Sequence, residues 1–99
     1  MKTYTWNYTE QTVNEETEEA IEVAHSVSLR CSFLTGKALV TIDGTEFDIS
    51  TRPLGLRGTS QVFRLGDVPA ILDFPKKGEP AVIVDNERLE KDAKDSKDA

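Results

Sequence analysis

The sequence predicts an all-β fold, an antiparallel β-sandwich or partly closed barrel of about seven to eight short strands joined as meander hairpins. Three observations predict it. Alternate residues from Ile21 to Phe33 are largely apolar (Ile21, Val23, Val27, Leu29, Cys31, Phe33), while the intervening positions include Glu22, Ser26, Ser28, Arg30 and Ser32. This period of two belongs to a strand with one buried face. The stretch Gly36 to Phe47, GKALVTIDGTEF, holds an Asp-Gly pair between apolar alternations, the pattern of a two-residue hairpin turn. A second tight turn at Thr35-Gly36 brings Leu29, Cys31, Phe33, Ala38, Val40, Ile42, Phe47 and Ile49 to one face, so two turns select the same apolar set.

In chain order, Tyr4, Trp6 and Tyr8 alternate in YTWNY and predict an N-terminal strand. Residues 10–22 contain Glu10, Glu15, Glu16, Glu18, Glu19 and Glu22 without a lysine or arginine, and read as an acidic loop or short helical turn. The helical alternative comes from Thr12 and Glu15 at capping-box spacing. A strand then begins between Ile21 and Ala24. The Asp43-Gly44 turn sets Ile42 opposite Thr45, Val40 opposite Phe47 and Ala38 opposite Ile49. The Thr35-Gly36 turn sets Phe33 opposite Ala38, Cys31 opposite Val40 and Leu29 opposite Ile42.

The segment STRPLGLRGTS, with Pro53, Gly55 and Gly58, reads as a long loop between the two halves. Further strands are predicted at Gln61–Leu65, Ala70–Phe74, Ala81–Val84 and Glu87–Leu89. The prolines of PKKGEP limit pairing between Phe74 and Ala81, and Asp85-Asn86 predicts a tight turn placing Val84 near Glu87 and Val82 near Leu89. Residues 1–89 form one domain on this reading, and the polar stretch 90–99 is expected to be a disordered tail.

Ninety-nine residues suit a single domain with a modest core. The net charge of −6 resides in the Glu10–Glu22 segment, since the rest of the chain balances twelve acids with twelve bases. That balance argues against nucleic acid as a partner, which calls for a basic surface. No stretch is apolar enough for a membrane helix, and the N-terminus lacks a signal-peptide core. The single Cys31 fits a reducing compartment, so a cytoplasmic location is expected.

Candidate chemistry is sparse. His25 is the sole histidine, and its position on the apolar side of its strand predicts a core or edge residue satisfied by a hydrogen bond. Cys31, between Leu29 and Phe33, is expected to be a packing residue. It lies roughly 20 Å along an extended strand from His25, too far for a dyad. The aspartates are dispersed without calcium-loop spacing, and Asp43 is accounted for by the turn. No catalytic residue, metal site or cofactor is predicted. Arg52, Arg57 and Arg64 are candidate binding residues for an anionic group or acidic peptide. Tyr4, Trp6 and Tyr8 are candidates for a sugar-stacking or peptide-binding strip if their rings face solvent, and for core if they do not.

The succession of His25, Gly36-Lys37, VTIDGTE (Val40 to Glu46), VFRLG (Val62 to Gly66) and AVIVDNERL (Ala81 to Leu89) resembles the Fas apoptotic inhibitory molecule family. The resemblance covers about 65 residues and implies a compact β-sandwich that acts through protein interaction rather than catalysis. The leading functional reading is thus a small acidic non-enzymatic domain that binds a protein or peptide, a homo-oligomer included. The alternative is a carbohydrate or small-ligand module using Tyr4, Trp6 and Tyr8, with a small hydrolase ranked below it.

Overall fold

A computed structural model describes residues 1–91. The tail expected over residues 90–99 therefore lies, from residue 92, outside the described residues. Eight strands form two four-stranded antiparallel sheets. The first sheet contains β1 (Lys2–Val13), β2 (Ala20–Cys31), β3 (Ala38–Ile42) and β4 (Thr45–Asp48). The second contains β5 (Thr59–Leu65), β6 (Val68–Phe74), β7 (Ala81–Val84) and β8 (Glu87–Arg88). In each sheet the spatial order is the chain order, so the fold is two meanders packed as a β-sandwich.

Alternation decides what lies between the sheets. Tyr4 and Trp6 of β1, Val27, Leu29 and Cys31 of β2, and Ala38 and Val40 of β3 are buried on the inner face of the first sheet. Leu65, Ala70, Leu72, Phe74, Val82 and Val84 form the matching layer of the second. Leu56, from the loop joining the halves, is buried in the same cluster. Nearby, Phe33 meets Phe74 edge-on, with centroids 6.1 Å apart and planes at 80°.

The Asp43-Gly44 turn sets the predicted register, with Ile42 opposite Thr45 and Val40 opposite Phe47, and the Ile49 N–H donates to the Ala38 carbonyl. Asp85-Asn86 does the same for Val84 and Glu87, and the Leu89 N–H donates to the Val82 carbonyl. The β2–β3 connection differs from expectation. Cys31 pairs with Ala38, Leu29 with Val40 and Val27 with Ile42, a shift of two residues. Ser32 closes the ladder on Lys37, and the Gly36 N–H donates to the Ser32 carbonyl at 2.9 Å, so four residues rather than two make the turn. Two additional residues leave the parity intact and keep the same side chains inside.

The acidic loop or turn expected over residues 10–22 is narrower than that, because β1 and β2 run on as a paired ribbon to Val13 opposite Ala20. Asn14–Glu19 forms the turn, where Asn14 Oδ1 accepts the Glu16 N–H and the Asn14 carbonyl accepts the Glu18 N–H. Gln11–Val13 and Ala20–Ala24 are exposed, so the ribbon leaves the sandwich as an arm, and the molecule measures 50 × 24 × 23 Å. Glu15, Glu16, Glu18 and Glu19 fall in the turn with their charges in water, and of the two glutamates on the paired strands Glu22 is exposed while Glu10 is buried.

Gly36 joins this frame to the inter-sheet loop. It has a φ of +80°, its carbonyl accepts the Thr51 N–H at 2.8 Å, and a Cβ would run into the Thr51 and Arg52 carbonyl groups. Gly36→Ala is expected to destabilise the fold by about 2 kcal/mol in urea unfolding, whereas Gly44→Ala, whose Cβ would meet nothing within 4 Å, costs less.

Candidate functional site

The inner face of β2 continues past Val27 to His25, where the sandwich gives way to the arm. Its cross-strand partner is Tyr8, and Glu10 lies one alternation farther along β1. The Asp43 turn reaches the other side of the ring. Nδ1 of His25 is 2.7 Å from Asp43 Oδ2, and Nε2 is 3.0 Å from Glu10 Oε1. Asp43 Oδ1 also accepts the Ser26 N–H at 2.8 Å, while Glu10 Oε2 accepts the Asp67 N–H at 3.3 Å. The last bond crosses to the β5–β6 turn, where a Cβ on Gly66 would collide with Glu10 and His25. One ring thus ties together β1, β2 and two turns, one from each sheet.

The Glu10 hydrogen bond, then that of Asp43, raises the His25 pKa above its ordinary 6.5 and outweighs the opposing effect of burial. Both ring nitrogens donate in the imidazolium, so each carboxylate finds its proton. The bond to His25 foremost, then the Asp67 N–H, lowers the Glu10 pKa. For Asp43 burial pushes upward but is overcome by the His25 and Ser26 bonds and the imidazolium charge. This arrangement occupies the histidine completely. Neither nitrogen is left to serve as a base, and Cys31 lies buried farther along β2. The three side chains meet pairwise around the ring instead of converging, and no group able to hold a metal ion occurs among the described residues.

The other predicted site residues scatter. Arg57 lies 3.8 Å above the Phe33 ring and donates to the Gly78 and Pro75 carbonyls, so it ties loops together. Arg52 is exposed in the loop beside Gly36, whereas Arg64 is exposed on β5 close to Gly66, toward the His25 end. They do not form a common site. Tyr4 and Trp6 are 3% and 1% exposed, with their rings stacked 6.1 Å apart. Tyr8 packs partly buried against the same core. The aromatic strip is core, which removes the solvent-facing platform required for sugar stacking.

The less expected feature is the side of the sandwich where edge strands β4 and β5 face each other. A groove of about 220 Å³ opens there, lined by Val40, Ile42, Phe47 and Ile49 from the first sheet and Gln61, Val62, Phe63 and Leu72 from the second. Phe47 points inward as predicted but remains 47% exposed because no strand among the described residues closes over it. On the outer face, Val62 of β5 stands opposite Ile71 of β6, which stands opposite Ile83 of β7. Val62 is 79% exposed at the end of this apolar row.

The backbone of β5 is open as well. Leu65 and Val68 flank a two-residue turn, so Leu65, Phe63 and Gln61 direct their N–H and C=O groups toward β6. The β7–β8 turn independently fixes the same parity through β7 and β6. Ser60, Val62 and Arg64 therefore direct theirs away from the sheet, where none of the described residues pairs with them. The composition of β5 gave no warning of this edge, since the same residues would suit a central strand. Comparisons find no matching family model and no significant match to a curated protein or a solved structure.

The network generates a pH prediction. His25, with its raised folded pKa, contributes stability fully below its ordinary 6.5 and loses it as pH rises through the raised value. Glu10 and Asp43, with lowered folded values, contribute fully above their ordinary 4.5 and 3.8 and lose it as pH falls through the lowered values. Thermal unfolding across pH should show greatest stability between about pH 4.5 and 6.5, and His25→Gln should flatten the alkaline side of that profile.

Proposed function

We propose that this chain is a non-enzymatic protein-interaction domain that captures an extended polypeptide segment by strand addition to β5. One observation carries the proposal: an edge strand with free backbone groups at Ser60, Val62 and Arg64 borders an apolar groove. Main-chain hydrogen bonds along the edge supply affinity, and alternate side chains of the guest enter the groove beside Phe47 and Phe63. The guest's other side chains extend the Val62 and Ile71 row on the outer face.

Catalysis has no support in the geometry, because His25 is committed to Glu10 and Asp43 and the three arginines lie apart. The carbohydrate reading loses its basis with the burial of Tyr4 and Trp6. The glutamate-rich arm does not border the groove.

A capped peptide of alternating valine and threonine, added in excess to labelled protein, tests the proposal by NMR. The expected outcome is shift changes and slowed amide exchange at Ser60, Val62 and Arg64, with shifts at Phe47. Replacing Phe47 by alanine should weaken binding about tenfold, or ~1.4 kcal/mol. Shifts confined to other surfaces, or none at saturating peptide in a protein whose Ser60, Val62 and Arg64 amides exchange rapidly without it, would overturn it.

A further inference from the structure

We infer that the strand taken up at this edge is β5 of a second copy, paired antiparallel about a twofold axis through Val62. The inference rests on the strand-addition reading and names its partner. The outward groups belong to Ser60, Val62 and Arg64, a set symmetric about its middle member. A twofold axis there places Val62 against Val62 of the second copy and Ser60 against Arg64 of the second copy. Each such pair exchanges two N–H···O bonds, so the free groups of both edges are satisfied in one register.

Side chains favour the same register. The apolar row Ile83, Ile71, Val62 ends abruptly at the edge, and the pairing continues it through Val62, Ile71 and Ile83 of the second copy. Ser60 is small, and its cross-strand neighbour on β6 is Asp73. An Arg64 arriving from the second copy opposite Ser60 passes over the serine toward that carboxylate, and symmetry repeats the contact. Within one copy, Arg64 faces Pro69, and neither Arg64 nor Asp73 has an ion pair among the described residues. On the inner face Gln61 opposes Phe63, and the two open grooves meet across the axis.

The remaining edges are guarded. Lys91 bridges to Trp6 on β1, β4 has only four residues including Glu46 and Asp48, and β8 has two residues. Across seven residues β5 has no proline and no inward-pointing charge. Such an edge is a template for another chain.

Sedimentation velocity over a concentration series tests the inference, supported by amide exchange. The expected result is a species of twice the 11.0 kDa chain mass, with slowed exchange at Ser60, Val62 and Arg64. Val62→Lys, at a position exposed in the single copy, should weaken association at least about tenfold without altering the fold, as should Arg64→Glu. The double variant Arg64→Glu, Asp73→Arg should restore it, while Val13→Lys on the arm should leave it unchanged. A monomer at all concentrations, a dimer indifferent to Val62→Lys, or no rescue by the charge exchange would overturn the inference. A monomer that still binds the valine-threonine peptide at β5 sinks the dimer alone; a monomer that does not bind it sinks the strand-addition reading too.

Discussion

An imidazole held between two carboxylates closes the end of this sandwich, and much of the architecture is arranged around it. His25 sits where the apolar inner face runs out, at the last position on β2 that the second sheet can reach. Its two partners come from a neighbouring strand and a hairpin turn, and Glu10 in turn receives the backbone of the β5–β6 turn. A part-buried group of this kind is tolerated because both ring nitrogens and all four carboxylate oxygens have a partner, and no buried side-chain polar atom is left unsatisfied among the described residues. Beyond this point the paired strands have no core beneath them. Inside it, they share one continuous apolar cluster.

Sheet edges set the second constraint. The eight strands of the described residues lie in two separate four-stranded sheets, so edges must be managed individually. Acidic side chains, short strands and the Lys91 bridge guard three of them. The side between β4 and β5 is left with half-exposed Phe47 and a backbone that continues the sheet's hydrogen-bonding pattern into solvent. The same two-residue turns that make the meanders compact also determine which backbone groups point outward at β5. Its binding register is therefore a by-product of its folding register.

Much of this frame was legible in the residues. Asp43-Gly44 and Asp85-Asn86 specified their registers because two-residue turns admit few geometries, and the parity of the buried faces followed. The β2–β3 register was not legible, since Ser32 to Lys37 contains turn-forming residues compatible with either a two- or four-residue connection. The arm was hidden by its glutamates, which read as loop although backbone pairing is indifferent to them. Glu10 was overlooked for the same reason, yet it lies two residues beyond Tyr8 in the Tyr4, Trp6, Tyr8 series and is buried like the first two members. Extending that alternation would have found it. The open edge was not legible because the sequence of a strand does not reveal whether its neighbour is protein or water.

The arm also has an electrical consequence. Its turn projects roughly 15 Å beyond Glu10, taking about 3.4 Å per residue, which is farther than the ~8 Å over which physiological salt screens a charge. The negative excess of the chain is concentrated there, while the acids and bases elsewhere cancel. The molecule is therefore a strong permanent dipole with a near-neutral body. In the field of a positively charged surface it turns arm-first before contact, so its orientation is selected during approach rather than on docking.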